Sequence, residues 1–218
     1  RGFLMADGVY EVTAVIASKL IDFKAHMLRL KRSLSELKIE VSISYKELLN
    51  IHRKLISMNN IGEGMVYLQI TRGATTDREF VFPDPSTCPA TIVLFTQEKR
   101  DLISNKAAKK GLKIISIEDL RWDRRDIKTI QLLYSSMGKM IAKNAGADDA
   151  WMVQGGHVTE GTSSNAYIIK KDKIITHQLS NDILHGITRK AVLRCAKEVN
   201  MQVLERKFTI EEAQQADE

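Results

Sequence analysis

Residues 124–138 read Arg124-Arg125-Asp126-Ile127-Lys128-Thr129-Ile130-Gln131-Leu132-Leu133-Tyr134-Ser135-Ser136-Met137-Gly138, and Lys128 is their centre. It stands between Ile127 and Ile130, and Leu133, Tyr134, Met137 and Ile141 follow at helical spacing. That spacing predicts a helix that contains Lys128, runs to about Asn144 and stops at Gly146. An amine so close to an apolar face has two explanations. Its stem can lie along the face while its head stays in water. Alternatively the amine is desolvated and its pKa lowered. Spacing alone leaves both open.

Outward from that stretch, residues 112–117 predict a strand and residues 118–125 a charged loop. Ala150–Val153 and His157–Glu160 flank Gln154-Gly155-Gly156 as a hairpin, and Ala166–Ile169 and Lys173–Thr176 flank Lys171-Asp172 as another. Gly186 precedes a helix at 187–199, with a strand expected at 202–207 and a capping box at Thr209–Glu212. Before the centre, 9–16 alternates as a strand, and Asp22 could cap a helix that turns Ala25, Leu28, Leu30 and Leu34 inward. Ser44-Tyr45-Lys46-Glu47 is a capping box opening a second helix. Strands are expected at 65–71, 80–82 and 91–96, the last of the buried type. The prolines, at 83, 85 and 89 only, stiffen the loop between the last two. The pattern is α/β with mixed sheets in two lobes: residues 1–98, a linker at 99–104, and residues 105–218 carrying the lysine.

At 44% hydrophobic and 28% charged, the 218 residues suit a globular chain with one or two cores. The net charge of +6 allows a nucleic acid or small anions such as phosphates and carboxylates as ligands. No aromatic-studded basic block supports the nucleic acid. Two distant cysteines, Cys88 and Cys195, point to a reducing, cytoplasmic setting. No apolar run approaches the roughly 18 residues of a membrane span. A start at Arg1 and an end after an unfinished helical pattern suggest an internal stretch of a longer protein.

Several chemistries lack their residues. No two histidines are three or four apart, so a helical zinc pair is missing. Gly62-Glu63-Gly64 lacks the third glycine of a dinucleotide fingerprint, Leu133 stands where a P-loop before Gly138-Lys139 needs glycine, and no G-x-S-x-G occurs. Cys195 falls on an apolar helix face and reads as core.

Six motifs in order, R-G-F-L-M-A-D-G-V-Y-E-V from Arg1, H-M-L-R-L-K-R-S-L from His26, T-R-G from Thr71, D-I-K-T-I-Q-L-L from Asp126, V-T-E-G-T-S-S-N from Val158 and L-H-G-I-T-R from Leu184, span the chain. Together they resemble the fold type IV aminotransferases, pyridoxal phosphate enzymes, and among them most nearly the D-amino acid aminotransferases. The resemblance implies a two-lobed fold type IV architecture with pyridoxal 5'-phosphate as cofactor. Amino acids and oxo acids would be its small-molecule substrates in a homodimer, with no nucleic acid or membrane partner.

The resemblance also implies residue roles. Lys128 matches the Schiff-base lysine, which attacks the cofactor aldehyde and later carries a proton to and from the substrate. Glu160 matches the carboxylate facing the pyridine nitrogen; without the family it reads as a solvated hairpin glutamate. Arg29 matches the phosphate arginine, a fork suited to bidentate contact. Gly186, Ile187 and Thr188 match a phosphate site at a helix N-terminus, with a plain N-cap as the other reading. Leu184 matches an apolar residue against the ring and Ser163 a nearby hydroxyl. Tyr10 matches a tyrosine near the substrate carboxylate.

Counting back from Phe82-Pro83, Arg78 stands where D-amino acid enzymes place a carboxylate-binding arginine, but Phe80 replaces the accompanying histidine. That departure opens the pocket to bulkier or less polar donors, (R)-amines included, and leaves Arg78 equally readable as a solvated loop charge. The implied activity is transfer of an amino group from a D-amino acid or (R)-amine to a 2-oxo acid. Branched-chain aminotransferases carry a tyrosine five positions past the lysine, where this chain has Leu133. Aminodeoxychorismate lyase shares the cofactor machinery and stays an alternative. So does a basic binding protein that kept the scaffold without catalysis.

Overall fold

The computed structural model describes residues 1–105 and 107–218; Lys106, inside the charged segment at 97–110, lies outside the described residues. The contacts divide the chain into two units, residues 1–109 with 127–131 and residues 110–126 with 132–218.

In the first unit a short helix α1 (Gly2–Met5) precedes β1 (Gly8–Ile16), β2 (Lys19–Leu20), α2 (Phe23–Glu36), α3 (Tyr45–Met58), β3 (Glu63–Thr71) and β4 (Thr91–Glu98). The four strands form one antiparallel sheet in the order β2-β1-β3-β4. The period-two pattern of β1 buries Val9, Glu11, Thr13 and Val15 on one face and leaves Tyr10, Val12, Ala14 and Ile16 half-buried on the other. Val9, Leu68 and Ile70 meet Phe23, Met27, Leu30 and Leu34 of α2 and Leu48 of α3 in the main core. Ser44 and Glu47 close the expected capping box at the start of α3.

Four expectations here are corrected. Asp22 precedes α2 in a left-handed conformation, and its side chain makes no cap bond. Leu28, expected inward, is exposed because the buried stripe follows Phe23, His26, Met27, Leu30 and Leu34. Residues 80–82 are not a strand; they lie in the loop before the prolines, and among the described residues no strand pairs with them. β4 is not of the buried type: as the sheet edge it alternates between exposed and half-buried positions.

The second unit holds β5 (Ile114–Glu118), α5 (Leu133–Asn144), β6 (Asp149–Gln154), β7 (His157–Gly161), β8 (Tyr167–Lys170), β9 (Lys173–Thr176), α6 (Ile187–Glu198), β10 (Gln202–Glu205) and α7 (Ile210–Gln214); a short α4 (Ala107–Lys110) lies at the division. Two mixed sheets run β5-β6-β7 and β10-β9-β8. Each has one parallel pair joined through a helix and one antiparallel hairpin, as the connection lengths require. Val158, Ala166, Ile168, Ile175 and Phe208 make its core. Thr209 caps α7 by accepting from the Glu212 N–H at 3.1 Å. Cys195, expected in the core, is exposed, because the buried face of α6 passes through Arg189 and Ala196.

Lys128 departs furthest from expectation. It is not helical; α5 begins five residues later. Residues 127–131 form no regular element, with a tight turn in which the Thr129 N–H donates to the Ile127 carbonyl at 2.8 Å, and belong to the first unit, where Val9 and Thr129 form an antiparallel bridge. The Tyr10 N–H donates to the Lys128 carbonyl at 3.0 Å and the Ile130 N–H to the Gly8 carbonyl at 3.1 Å. Buried Ile127 joins the α2 core. Backbone pairing to β1 and burial of Ile127 outweigh the helical spacing, which begins only at Leu133. Lys99 N–H and Ile103 N–H both bond to Glu63, which holds 99–103 to the first unit and moves the division past the expected linker to 109/110.

Candidate active site

In the first unit, the pairing of 127–131 with β1 sets the half-buried Lys128 beside Tyr10, with its Nζ 4.1 Å from the ring centroid. An aromatic face is a favourable place for a cationic amine. Tyr10 stacks on Tyr67 at 5.6 Å and Tyr67 on Phe95 at 4.8 Å, so an aromatic row crosses the face of the sheet opposite α2. The Lys128 N–H also donates to Ser33 Oγ of α2 at 3.3 Å.

On the other face of β1, Glu11 is fully buried. Arg29 grips it with a two-toothed fork, Nε to Oε1 at 2.8 Å and Nη2 to Oε2 at 2.7 Å, and His26 Nδ1 lies 2.7 Å from the same Oε2. Burial pushes the Glu11 carboxyl up, but the bonds from Arg29 and His26 outweigh it and hold the group below its ordinary value. Arg29 is thereby fixed in place by a buried carboxylate.

Arg78 and Phe80 lie on the exposed loop, with the guanidinium 5.1 Å from the Phe80 ring centroid. Arg72 stacks 3.6 Å from the centroid of Phe82 and donates to Asp7 and to the Leu37 and Lys38 carbonyls.

In the second unit, Glu160 near the end of β7 is almost fully buried, not solvated. Arg121 Nη1 donates to its Oε1 at 2.6 Å, while Asn165 Nδ2 and the Leu184 N–H donate to Oε2 at 3.0 and 3.1 Å. A carboxylate offers about four lone-pair sites, so three donors leave room for about one more. Burial pushes the Glu160 carboxyl up and Arg121 opposes that rise. Asn165 also donates to the Leu184 carbonyl at 2.9 Å, tying the carboxylate to the loop before α6.

That loop needs glycine: a Cβ on Gly186 would come within 2.1 Å of Asn165 Oδ1. Gly186 is the N-cap of α6, so the N–H groups of Ile187, Thr188 and Arg189 begin the helix without intrahelical acceptors. Thr188 is exposed and Ile187 half-buried there. Leu184 contributes its backbone to Glu160, with a half-buried side chain, and Ser163 is exposed in the turn after β7. Among the described residues, no group of three or more His, Cys, Asp or Glu is arranged to hold a metal, and no helix is long and apolar enough to cross a membrane.

The structure therefore brings together Lys128 with Tyr10 in the first unit, and Glu160 with Leu184 and the start of α6 in the second. Sequence reading missed Glu11, His26, Arg121, Asp119 and Asn165. Glu11 had a usable signal, a charge at an inward position of an alternating strand. Asn165 closes the motif that contains Glu160.

The chain matches the family described as Amino-transferase class IV over residues 8–218. It is 38% identical over 220 residues to a D-alanine aminotransferase of Staphylococcus aureus (strain MSSA476), covering all of this chain and 76% of that protein. Among solved structures it resembles a branched-chain amino acid aminotransferase of T.th., complexed with N-(5'-phosphopyridoxyl)-L-glutamate, at TM-score 0.85 and 25% identity over 99% of this chain and 72% of that one. It also shares the fold of the 4-amino-4-deoxychorismate lyase from Pseudomonas aeruginosa, at TM-score 0.81 and 21% identity over 100% of this chain and 79% of that one.

Proposed function

We propose, for a chain that belongs to the class IV aminotransferases, that its amino donors are D-amino acids or (R)-amines and its acceptors 2-oxo acids. It is a pyridoxal 5'-phosphate-dependent transaminase of fold type IV. The 38% identity to a D-alanine aminotransferase along the whole chain supports the choice of donor over the lyase and branched-chain alternatives, whose solved relatives named above are no more than 25% identical.

The donor set suits the cofactor: an amine for its aldehyde, a buried carboxylate with one lone pair left, and for its phosphate the first N–H groups of α6 with the cationic guanidinium of Arg29, whose Nε–Nη2 edge Glu11 already holds. When bound, pyridoxal 5'-phosphate supplies an electron sink for the bond broken at the donor carbon. In this reading Lys128 binds the cofactor covalently and, once displaced, holds and moves the proton at Nζ. Glu160 accepts the ring N–H. Arg29, held by Glu11, and the Ile187 and Thr188 N–H groups take the phosphate at the N-cap Gly186, whose own N–H donates to the Leu184 carbonyl at 2.8 Å, with Leu184 against the ring and Ser163 beside it. Tyr10 borders the donor, and Arg78 meets a carboxylate where the donor has one. The observation that carries the reading is the Lys128 amine held over the Tyr10 ring by a segment paired to β1.

The finer assembly is part of the same proposal: a cytoplasmic homodimer. The run Phe80-Val81-Phe82 is largely exposed on the loop between β3 and β4 and suits an interface with a second copy. The decisive experiment mixes cofactor-loaded protein with D-alanine and 2-oxoglutarate and follows pyruvate. Production with D- but not L-alanine, together with loss of the lysine-bound absorbance in Lys128→Ala, is the expected result. Pyruvate from aminodeoxychorismate with no transfer from any D-amino acid or amine would assign the chain to lyase chemistry.

A further inference from the structure

Glu160 does not stand by itself in the second unit. Arg121 bridges it to a second buried acid, donating through Nη1 to Glu160 Oε1 at 2.6 Å and through Nη2 and Nε to Asp119 at 2.7 and 2.9 Å. Asp119 is itself fixed: Thr159 Oγ1, next to Glu160 on β7, donates to its Oδ2 at 2.7 Å, and its N–H donates to the Val153 carbonyl at 2.8 Å. Arg125, whose side chain is 1% exposed, lies 3.6 Å from the same Oδ2. A planar guanidinium with both edges occupied has one orientation, so the Glu160 oxygen it bonds has one as well.

We infer that Arg121 is the positioning residue for Glu160, holding its carboxylate ionised and aimed so that one lone pair is left for a protonated ring nitrogen. The inference rests on the reading of Glu160 as the partner of that nitrogen. The charges that face Glu160 are Arg121 directly, and Asp119 with Arg125 behind it; Asn165 and the Leu184 N–H are neutral donors. Without Arg121 the buried carboxyl keeps its desolvation and loses its only direct cation partner among the described residues, so it takes up a proton at higher pH. A neutral carboxylic acid cannot hold a proton on the ring nitrogen, and it grips the cofactor less firmly.

The test uses holoenzyme carrying Arg121→Met, Arg121→Lys or Glu160→Gln, with pyridoxal 5'-phosphate as the ligand. Affinity for the cofactor and its visible absorbance are followed against pH. Arg121→Met should weaken cofactor binding about tenfold at neutral pH and move the acid-side midpoint of binding upward by roughly one pH unit. Arg121→Lys, which keeps the charge and loses the fork, should recover part of both changes. If Arg121→Met fails to fold, Arg121→Gln carries the same expectation. Wild-type affinity and midpoint in these variants, or lowered thermal stability with an unchanged midpoint, would overturn the inference. Glu160→Gln separates the two readings: if it leaves affinity and spectrum untouched, Glu160 is not the ring partner. If it alters them while Arg121→Met and Arg121→Gln do not, only the role of Arg121 falls.

Discussion

The Arg29 guanidinium and the His26 ring share one carboxylate, that of Glu11, on the inward face of β1. Breaking a buried pair by removing one partner costs about 3–5 kcal/mol, because the other charge stays behind. Glu11→Ala should therefore lower stability by that order in urea denaturation and loosen Arg29 in the same stroke. The pH dependence has a definite sign. The folded carboxyl is held below its ordinary value, so its stabilisation is present above the unfolded pKa of about 4.3 and is lost as pH falls through the lower folded value. Glu11→Gln should remove that acid-sensitive part of the stability curve. At this scale the sequence singles out a residue only where it sits inside a motif, as Lys128 and Glu160 do. It was silent about partners, since Glu11 with Arg29, or Arg121 with Asp119 and Glu160, meet through tertiary folding and follow no period.

Among the elements, the loop before α6 is the most tightly specified. Ala in place of Gly186 must push Asn165 away from a contact of 2.1 Å, and Asn165 is one of the donors that hold Glu160. Gly186→Ala should cost about 1–3 kcal/mol in thermal or urea unfolding and weaken cofactor affinity at the same time. By contrast, Ser44→Ala at the start of α3 removes only a cap bond; it should cost about 1 kcal/mol and leave transamination unchanged. That capping box, both hairpins and the helix after Gly186 could be read directly, because turn and cap chemistry is local. The segment around Lys128 could not. Its apolar spacing continues into a real helix, while what keeps it out of that helix is pairing with a strand more than a hundred residues earlier. β4 differs from its expectation for a related reason, since nothing in a run of apolar residues says whether a strand ends up at a sheet edge.

Across the whole molecule, several acids share the behaviour of Glu11. Burial pushes Asp7, Asp119 and Asp149 up, and their partners, Arg72 with Arg1, Arg121, and Lys139 with Thr162, outweigh it and leave each below its ordinary value. Glu160 works the other way, since its raised carboxyl favours the folded chain as pH falls through it. Burial also holds His52 and His177 below their ordinary value, so the melting temperature of the cofactor-free protein should begin to fall as pH drops through the histidine range and fall further below the ordinary carboxylate range. Calorimetry across a pH series checks it, and a melting temperature that climbs steadily into acid would refute the balance.

The excursion of residues 127–131 has a consequence for how this chain can be divided. A gene split at codon 109 would give an amino-terminal piece with the complete four-stranded sheet, yet Lys128 would be encoded on the other fragment. Recombination that swaps the first unit for a homologous one must therefore exchange two separate stretches of sequence, or else Tyr10 and Lys128 will descend from different parents.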